Sequence, residues 1–467
     1  MKDGGLYIFS KWVVNESTRT VSGTGQRMEV SRSKTETGTF DVRLDDTALF
    51  ETNAPVAGQA GLLAAFTVVT GASLAGTVAC AVNPKACFGS CPTFYVSDGE
   101  RQVLQAEGFS DSISPALEAT DIDALYRARP TDRQLQVRMT NEALETHVVK
   151  AVDVLVVPRP PGGRVMYAAG DGFYGAQALQ TAQSCRAAEG PCEEALAAID
   201  GRERSSTTDP DNLATPEEVT LVFPPAKGAR ASAGLVVAAR QTLLTTFLLY
   251  QGLAYLGTQA TAALSELERN PALKARVEAT HRLLGGIEVS VRNKEGQWDK
   301  AGEVFETGPI ATDVHLVRLP SLPPGSGPVE VRLRLTRGNW RLDWVALAEL
   351  GPQLQPTRVS PTSITGTTDD GRKVTAKAGD TLVTLPGDVY NMTFALPEHP
   401  ERYELFLSSR GYYLEWIRQH WLADESRARA AMMLYTPSLA LRVLAPAYKR
   451  QEANMEHVFW ESRYARP

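Results

Sequence analysis

Residues 328–337, PVEVRLRLTR, set Val329, Val331, Leu333 and Leu335 in strict alternation with Glu330, Arg332, Arg334 and Thr336. Successive side chains on a strand point to opposite faces, whereas the same spacing on a helix scatters the apolar groups around its circumference. The segment therefore predicts a half-buried strand, and a sheet of such strands needs a second layer over its apolar face. The pattern recurs near the start of the chain, where Phe40, Val42 and Leu44 interleave with Asp41, Arg43 and Asp45. Turn signals separate strand-like runs at Asp98-Gly99 and again at Lys294 to Gly296. The expected fold class is mainly β with inserted helices (α+β): antiparallel β-sandwich or jelly-roll-like domains plus one apolar Gly/Ala-rich helix.

At 467 residues the chain has room for about three domains. The divisions expected are a small N-terminal β segment over 1–55, an apolar segment over 56–85 and a β domain with a cysteine loop over 86–216. A β-sandwich follows over 217–350, with a helical insertion at 242–285, and then a C-terminal β plus helical segment over 351–467. No charge occurs between Glu51 and Lys85. Within that gap residues 61–82, GLLAAFTVVTGASLAGTVACAV, are long enough as a helix to cross a bilayer core of about 30 Å. Leu62, Leu63, Phe66, Val68, Val69, Leu74 and Val78 would then contact the membrane, and Ala72, Gly76 and Cys80 would allow close approach of another helix. A buried Gly/Ala-rich hairpin is the other reading, since Thr67, Thr70, Ser73 and Thr77 lower the hydropathy. A second uncharged run, Gln241 to Ser265, contains three Gln and leads into ELERNPALKAR, which predicts a helix buried in protein. Leu249, Leu253, Leu256 and Leu264 form its face, and the next helix should stop at Gly285-Gly286.

The net charge of −6 and the absence of any long basic block argue against a nucleic-acid partner. Cys185 and Cys192 enclose a short polar loop suited to a disulfide, and Cys87 with Cys91 is a second, more constrained pair. No histidine stands at finger spacing from either pair, so zinc is not expected. Bridged cysteines imply an oxidising compartment, although MKDGGLYIFSKWVV does not read as a signal peptide. In the C-terminal region Tyr448, Phe459, Trp460 and Tyr464 have two readings, core packing or contact with a partner.

Catalytic signatures are largely missing. GFSDS is not a nucleophile elbow, no phosphate-binding loop or H-E-x-x-H occurs, and no two of the six histidines are three or four apart. Asp209, Asp211 and Asn212 do not continue into a calcium loop, because Leu213 and Ala214 follow. Glu118, Asp121 and Asp123 are the best enzyme candidates, since paired carboxylates serve as acid and base in glycoside hydrolysis. No cofactor or metal is expected.

Two resemblances can be named. The strand, turn and Trp298, then RLRL and Trp340 before RLDWVAL, are similar to galactose-binding-like jelly-roll domains, here with helices inserted. GSCPTFYVSDGERQVLQAEGFSDSISPALEATDIDALYRARP, TNEALETHVV, ARQTLLTTFLLYQ and RGYYLEWIRQ resemble recurring segments of a family of uncharacterised bacterial envelope proteins. That likeness implies an envelope location on the periplasmic side and carries no activity. The expected function is a non-catalytic accessory or scaffold subunit, attached to a membrane or to a membrane-embedded complex such as a photosynthetic or respiratory assembly. The alternative is a carbohydrate-binding or carbohydrate-active envelope hydrolase.

Overall fold

The computed structural model describes Met1 and residues 6–28, 35–47, 91–225, 232–305, 308–320, 327–368, 371–416 and 418–462. As the alternation predicts, it is mainly antiparallel β with a few helices. Leu6–Asn15, Thr20–Met28 and Thr35–Arg43 pair in order as a three-stranded antiparallel sheet, the β segment expected at this end.

Four larger sheets carry the rest. The first sandwich has one sheet running Lys373–Ala376, Ser363–Thr367, Val389–Ala395, Gln134–Thr140, Thr93–Ser97 and Gln102–Glu107. Its other sheet runs Thr357–Val359, Glu145–Pro158, Tyr403–Glu415 and Ala119–Ala124. Phe94, Val137 and Met139 from one sheet meet Val154, Val156 and Leu407 from the other in a shared core. The second sandwich pairs the sheet Asp313–Leu319, Ala233–Gln241, Trp340–Leu354, Gly172–Thr181 and Arg164–Ala168 with a sheet that contains Ser184–Ala187, Pro216–Phe223, Val329–Thr336, Ile287–Arg292 and Trp298–Val304. Val329, Val331, Leu333 and Leu335 all turn inward, where they pack with Leu235, Val237, Val345 and Trp340.

Some strands are covered on both faces. Ala233–Gln241 is buried at all nine positions: Leu235 and Val237 face the second core, while Val236 and Ala238 face Met166, Tyr174 and Leu316. Leu155 and Val157 likewise turn away from the first core to meet Val165, Phe173 and Phe406, which joins the sandwiches. Double coverage explains why these strands read as continuous apolar runs, without alternation.

The strand pairing divides the chain differently from the expected boundaries at 216 and 350. Residues 164–187 pair with 216–223 and 340–354 and so belong to the second sandwich. Residues 357–415 pair back onto 93–158. The second sandwich is therefore inserted into the first, entered after Pro158 and left after Leu354. Periodicity identifies strands but not their partners, and the partners here are remote.

Helices cover one side. α1 (Leu244–Leu256), α2 (Ala260–Arg269) and α3 (Pro271–Leu284) follow Ala233–Gln241 directly, within the insertion expected at 242–285. α4 (Arg427–Tyr435) and α5 (Pro437–Ser462) follow the last strand. Gly257 turns the chain between α1 and α2 at φ +52°, and a Cβ there would fall 2.4 Å from the Glu425 carboxylate. That carboxylate accepts from the Thr258 N–H and hydroxyl, both at 2.9 Å, and so ties the two helix groups together. Among the described residues no single helix is long and apolar enough to cross a membrane; α4 with α5 reaches that length and hydropathy only across a 119° bend.

Candidate functional site

The helical layer encloses an apolar cavity of about 500 Å³ against the ends of the first sandwich. Leu249, Leu253, Leu256 and Leu264, the face read from the sequence, all line it. α1 is apolar nearly all round, so its opposite side is also buried, with Tyr250 and Ala254 packed on Trp421. From the other helices come Val277, Met433 and Leu441, and Gly252 leaves room opposite the Met433 side chain. Polar groups gather at a rim: Ser110 and Asp111, with Glu278, Thr280 and His281 of α3. Asp111 and His281 stand 3.4 Å apart, and the Tyr413 hydroxyl donates to the Ser110 carbonyl at 2.9 Å. A pocket of this size, mostly apolar with a few convergent polar groups, is the usual form of a small-molecule site.

The outward side of the same layer differs in chemistry. From Ser426 to Gln451 the chain has five cations, Arg427, Arg429, Arg442, Lys449 and Arg450, and no acid, although the whole protein carries −6. Tyr435, Leu439 and Val443 lie 60%, 52% and 54% exposed along this corner, and Arg276 of α3 sits 5.0 Å over the Tyr435 ring. Exposed apolar side chains at four-residue spacing flanked by arginine make an amphipathic surface suited to an anionic interface.

A buried polar cluster lies behind α1. Glu145 and Glu415 are register partners on adjacent strands, both enclosed, and burial pushes each up to about 8. His147 is held neutral, its pKa lowered to about 3 by burial, and its Nε2 lies 2.6 Å from Glu145 Oε1, within hydrogen-bond distance. Arg418 donates to the Tyr250 hydroxyl at 3.3 Å and to Glu415 at 3.5 Å, with the Tyr250 and Trp421 rings over its guanidinium at 4.4 and 4.5 Å. The sequence analysis missed this cluster. Its one local signal is Glu145 and His147 on the same face at the start of a strand rich in valine.

The expected site residues meet different fates. Cys185 and Cys192 are bridged, with Cα atoms 5.0 Å apart, and both sit in the second core. Cys87, residues 61–82 with Leu62, Leu63, Phe66, Val68, Val69, Leu74 and Val78, and Tyr464 lie outside the described residues, so neither the Cys87–Cys91 pair nor the expected membrane contacts are placed. Partner contact through Tyr448 and Phe459 is corrected: both are fully buried in this chain's own core, Tyr448 with its ring 4.9 Å from Phe247. They lie on the inward stripe of α5 with Leu441, Leu444 and Met455. Trp460 covers Arg240 at 4.2 Å and Arg341 at 5.6 Å.

Glu118, Asp121 and Asp123 do not line the cavity of the helical layer. Glu118 is bound by Lys150 and Arg410; Asp121 accepts the N–H groups of Phe109 and Ile122 at 3.2 and 2.9 Å. Asp123 is enclosed, and burial together with Asp121, Asp313 and Glu107 holds it protonated well above the ordinary carboxyl range. Among the described residues no cluster of three metal-ligating side chains occurs. Compared with known proteins, the chain matches no family model and no curated sequence.

Proposed function

We propose that this chain is a non-catalytic accessory protein that works at a membrane surface, with its helical layer as the contact element and a membrane-embedded complex as its partner. The observation that carries the reading is the α4–α5 corner: Arg427, Arg429, Arg442 and Arg450, in a stretch without an acid, beside the exposed Tyr435, Leu439 and Val443, while Lys449 turns to Glu452 and the Thr208 carbonyl. In a protein of net charge −6 such a corner is a local inversion, attractive to an anionic lipid surface while the rest of the molecule is repelled. Each basic side chain near such a surface is worth about 1 kcal/mol, and the apolar groups add burial in the headgroup region. The Cys185–Cys192 bridge supports an oxidising location such as the periplasmic side of an envelope.

Vesicle flotation tests the reading. The protein should float with vesicles of one part phosphatidylglycerol to three parts phosphatidylcholine, and remain behind with phosphatidylcholine alone. Leu439→Asp with Val443→Asp, both at exposed positions, should abolish flotation without lowering the melting temperature. Flotation unchanged in that variant, or equal on neutral vesicles, would overturn the assignment of the corner. Recovery of membrane subunits with the protein after mild detergent extraction tests the partner.

A further inference from the structure

We infer that the cavity under α1 binds a single-chain amphiphile whose head is uncharged or cationic, such as a monoacylglycerol or a long-chain amine, in preference to a fatty acid. The inference extends the membrane reading above by giving the helical layer a lipid ligand, and it rests on different residues.

The bore decides the tail. Leu249, Leu253, Leu256, Leu264, Val277 and Met433 present hydrocarbon on several sides of a space of about 500 Å³. Water gains few hydrogen bonds from such walls, whereas an alkyl chain removes apolar surface from solvent and gains dispersion contacts. The rim decides the head. Its ionisable side chains are Asp111, Glu278 and His281. Asp111 faces His281 at 3.4 Å, while Glu278 is engaged by Arg282 at 3.3 Å, so both carboxylates are held in place near the mouth. A carboxylate head would have to approach Asp111 and displace it from its imidazole, a like-charge juxtaposition that specificity commonly exploits, while Glu278 is already matched by Arg282. Hydroxyls of a glycerol head can instead meet Thr280 and the Asp111 carboxylate, and an ammonium head is attracted outright. The basic α4–α5 corner does not reverse this, because none of Arg427, Arg429, Arg442, Lys449 and Arg450 lines the cavity, to which these helices contribute apolar residues such as Met433 and Leu441.

The full chain, stripped of lipid by an apolar resin, would be loaded with the uncharged fluorescent probe N-phenyl-1-naphthylamine and titrated at pH 8 with monooleoylglycerol, oleylamine and oleate below their aggregation concentrations. Displacement with one-to-one stoichiometry is expected, at least tenfold tighter for the first two compounds than for oleate. Asp111→Asn combined with Glu278→Gln should bring oleate within about threefold of monooleoylglycerol. Leu249→Trp, at a half-buried lining position, should weaken all three at an unchanged melting temperature; Ala263→Phe is the second filling variant should the first fold poorly. Oleate binding as tightly as monooleoylglycerol would overturn the head preference. Displacement by none of the three would overturn the lipid ligand, and so would displacement seen only after deletion of residues 56–85, which would make that charge-free stretch the occupant. Flotation on anionic vesicles is scored separately with Leu249→Trp; its persistence alongside lost probe binding separates failure of this inference from failure of the membrane reading.

Discussion

Arg240 in the second sandwich is fully enclosed, yet its Nε and Nη2 donate to the two oxygens of Glu203 at 2.8 and 2.9 Å and its Nη1 to the Pro309 carbonyl at 2.9 Å. Arg204, next in sequence to Glu203, is clasped by Glu189 and Glu217 in the same bidentate way. Behind α1 the balance is different: two enclosed carboxyls, Glu145 and Glu415, face one guanidinium and a neutral imidazole. Burial costs every charge its hydration, and only the first arrangement returns a matched partner to each. The second sandwich buries ions; the seam under the helical layer buries groups that shed their charge by taking up protons.

The comparison breaks most sharply at Arg240. Arg240→Ala leaves Glu203 enclosed without its fork and should cost about 3–5 kcal/mol in urea unfolding at pH 7. Arg418→Met should cost clearly less at pH 6, where the neighbouring carboxyls are protonated, and more at pH 8.5.

The pH dependence of the intact protein tests the other half. A carboxyl raised to about 8 in the folded state keeps its proton in a range where the unfolded chain, near 4.5, has lost it. Its stabilisation is therefore complete below about pH 4.5 and is lost as pH rises through 8. His147, lowered to about 3, acts oppositely, but only below 6.5, so the interval above 6.5 leaves the raised carboxyls, Glu145 and Glu415 together with Asp123, and the double variant separates the first two from the third. Urea midpoints should fall between pH 6.5 and 8 by the equivalent of about 2–4 kcal/mol, and Glu145→Gln with Glu415→Gln should flatten that slope. A slope unchanged in the double variant would place the titration elsewhere.

Two smaller effects sharpen the contrast. Opening the Cys185–Cys192 bridge by Cys185→Ser with Cys192→Ser should cost about 2.5 kcal/mol in the chain-entropy model, felt in the second sandwich. Differential scanning calorimetry should register this as a lowered melting temperature. Trp460→Ala, which uncovers Arg240 and Arg341, should cost about 1 kcal/mol in the same urea assay.

What could be read from the sequence was local. Alternation at Val329 to Thr336, the cysteine spacing at 185 and 192, and the face of Leu249, Leu253, Leu256 and Leu264 each depend on neighbours along the chain, and each was found in place. The inserted sandwich and the Glu145, Glu415 and Arg418 cluster depend on segments remote in the chain, Val156 with Thr357 and Glu145 with Glu415, which no period reports. The α5 stripe lies between these cases. Tyr448 and Phe459 are recognisable as one side of an amphipathic helix, but spacing does not say whether that side meets this chain or another. The acid-free stretch from Ser426 to Gln451 is legible as a charge pattern, but its five cations are dispersed and form no block.

The insertion also imposes an order in time. Tyr403–Glu415 lies between Glu145–Pro158 and Ala119–Ala124, so the sheet it completes cannot close until a strand about 250 residues beyond Pro158 has left the ribosome. At about 5–20 residues per second, the strands up to Pro158 wait on the order of 10–50 s with apolar faces and open edges uncovered. The second sandwich, complete by Leu354, can fold during that wait and offer Val165 and Phe173 as a surface for Leu155 and Val157. The nascent chain is thus at greatest risk of mispairing midway through synthesis, and the sandwich begun first is the one closed second.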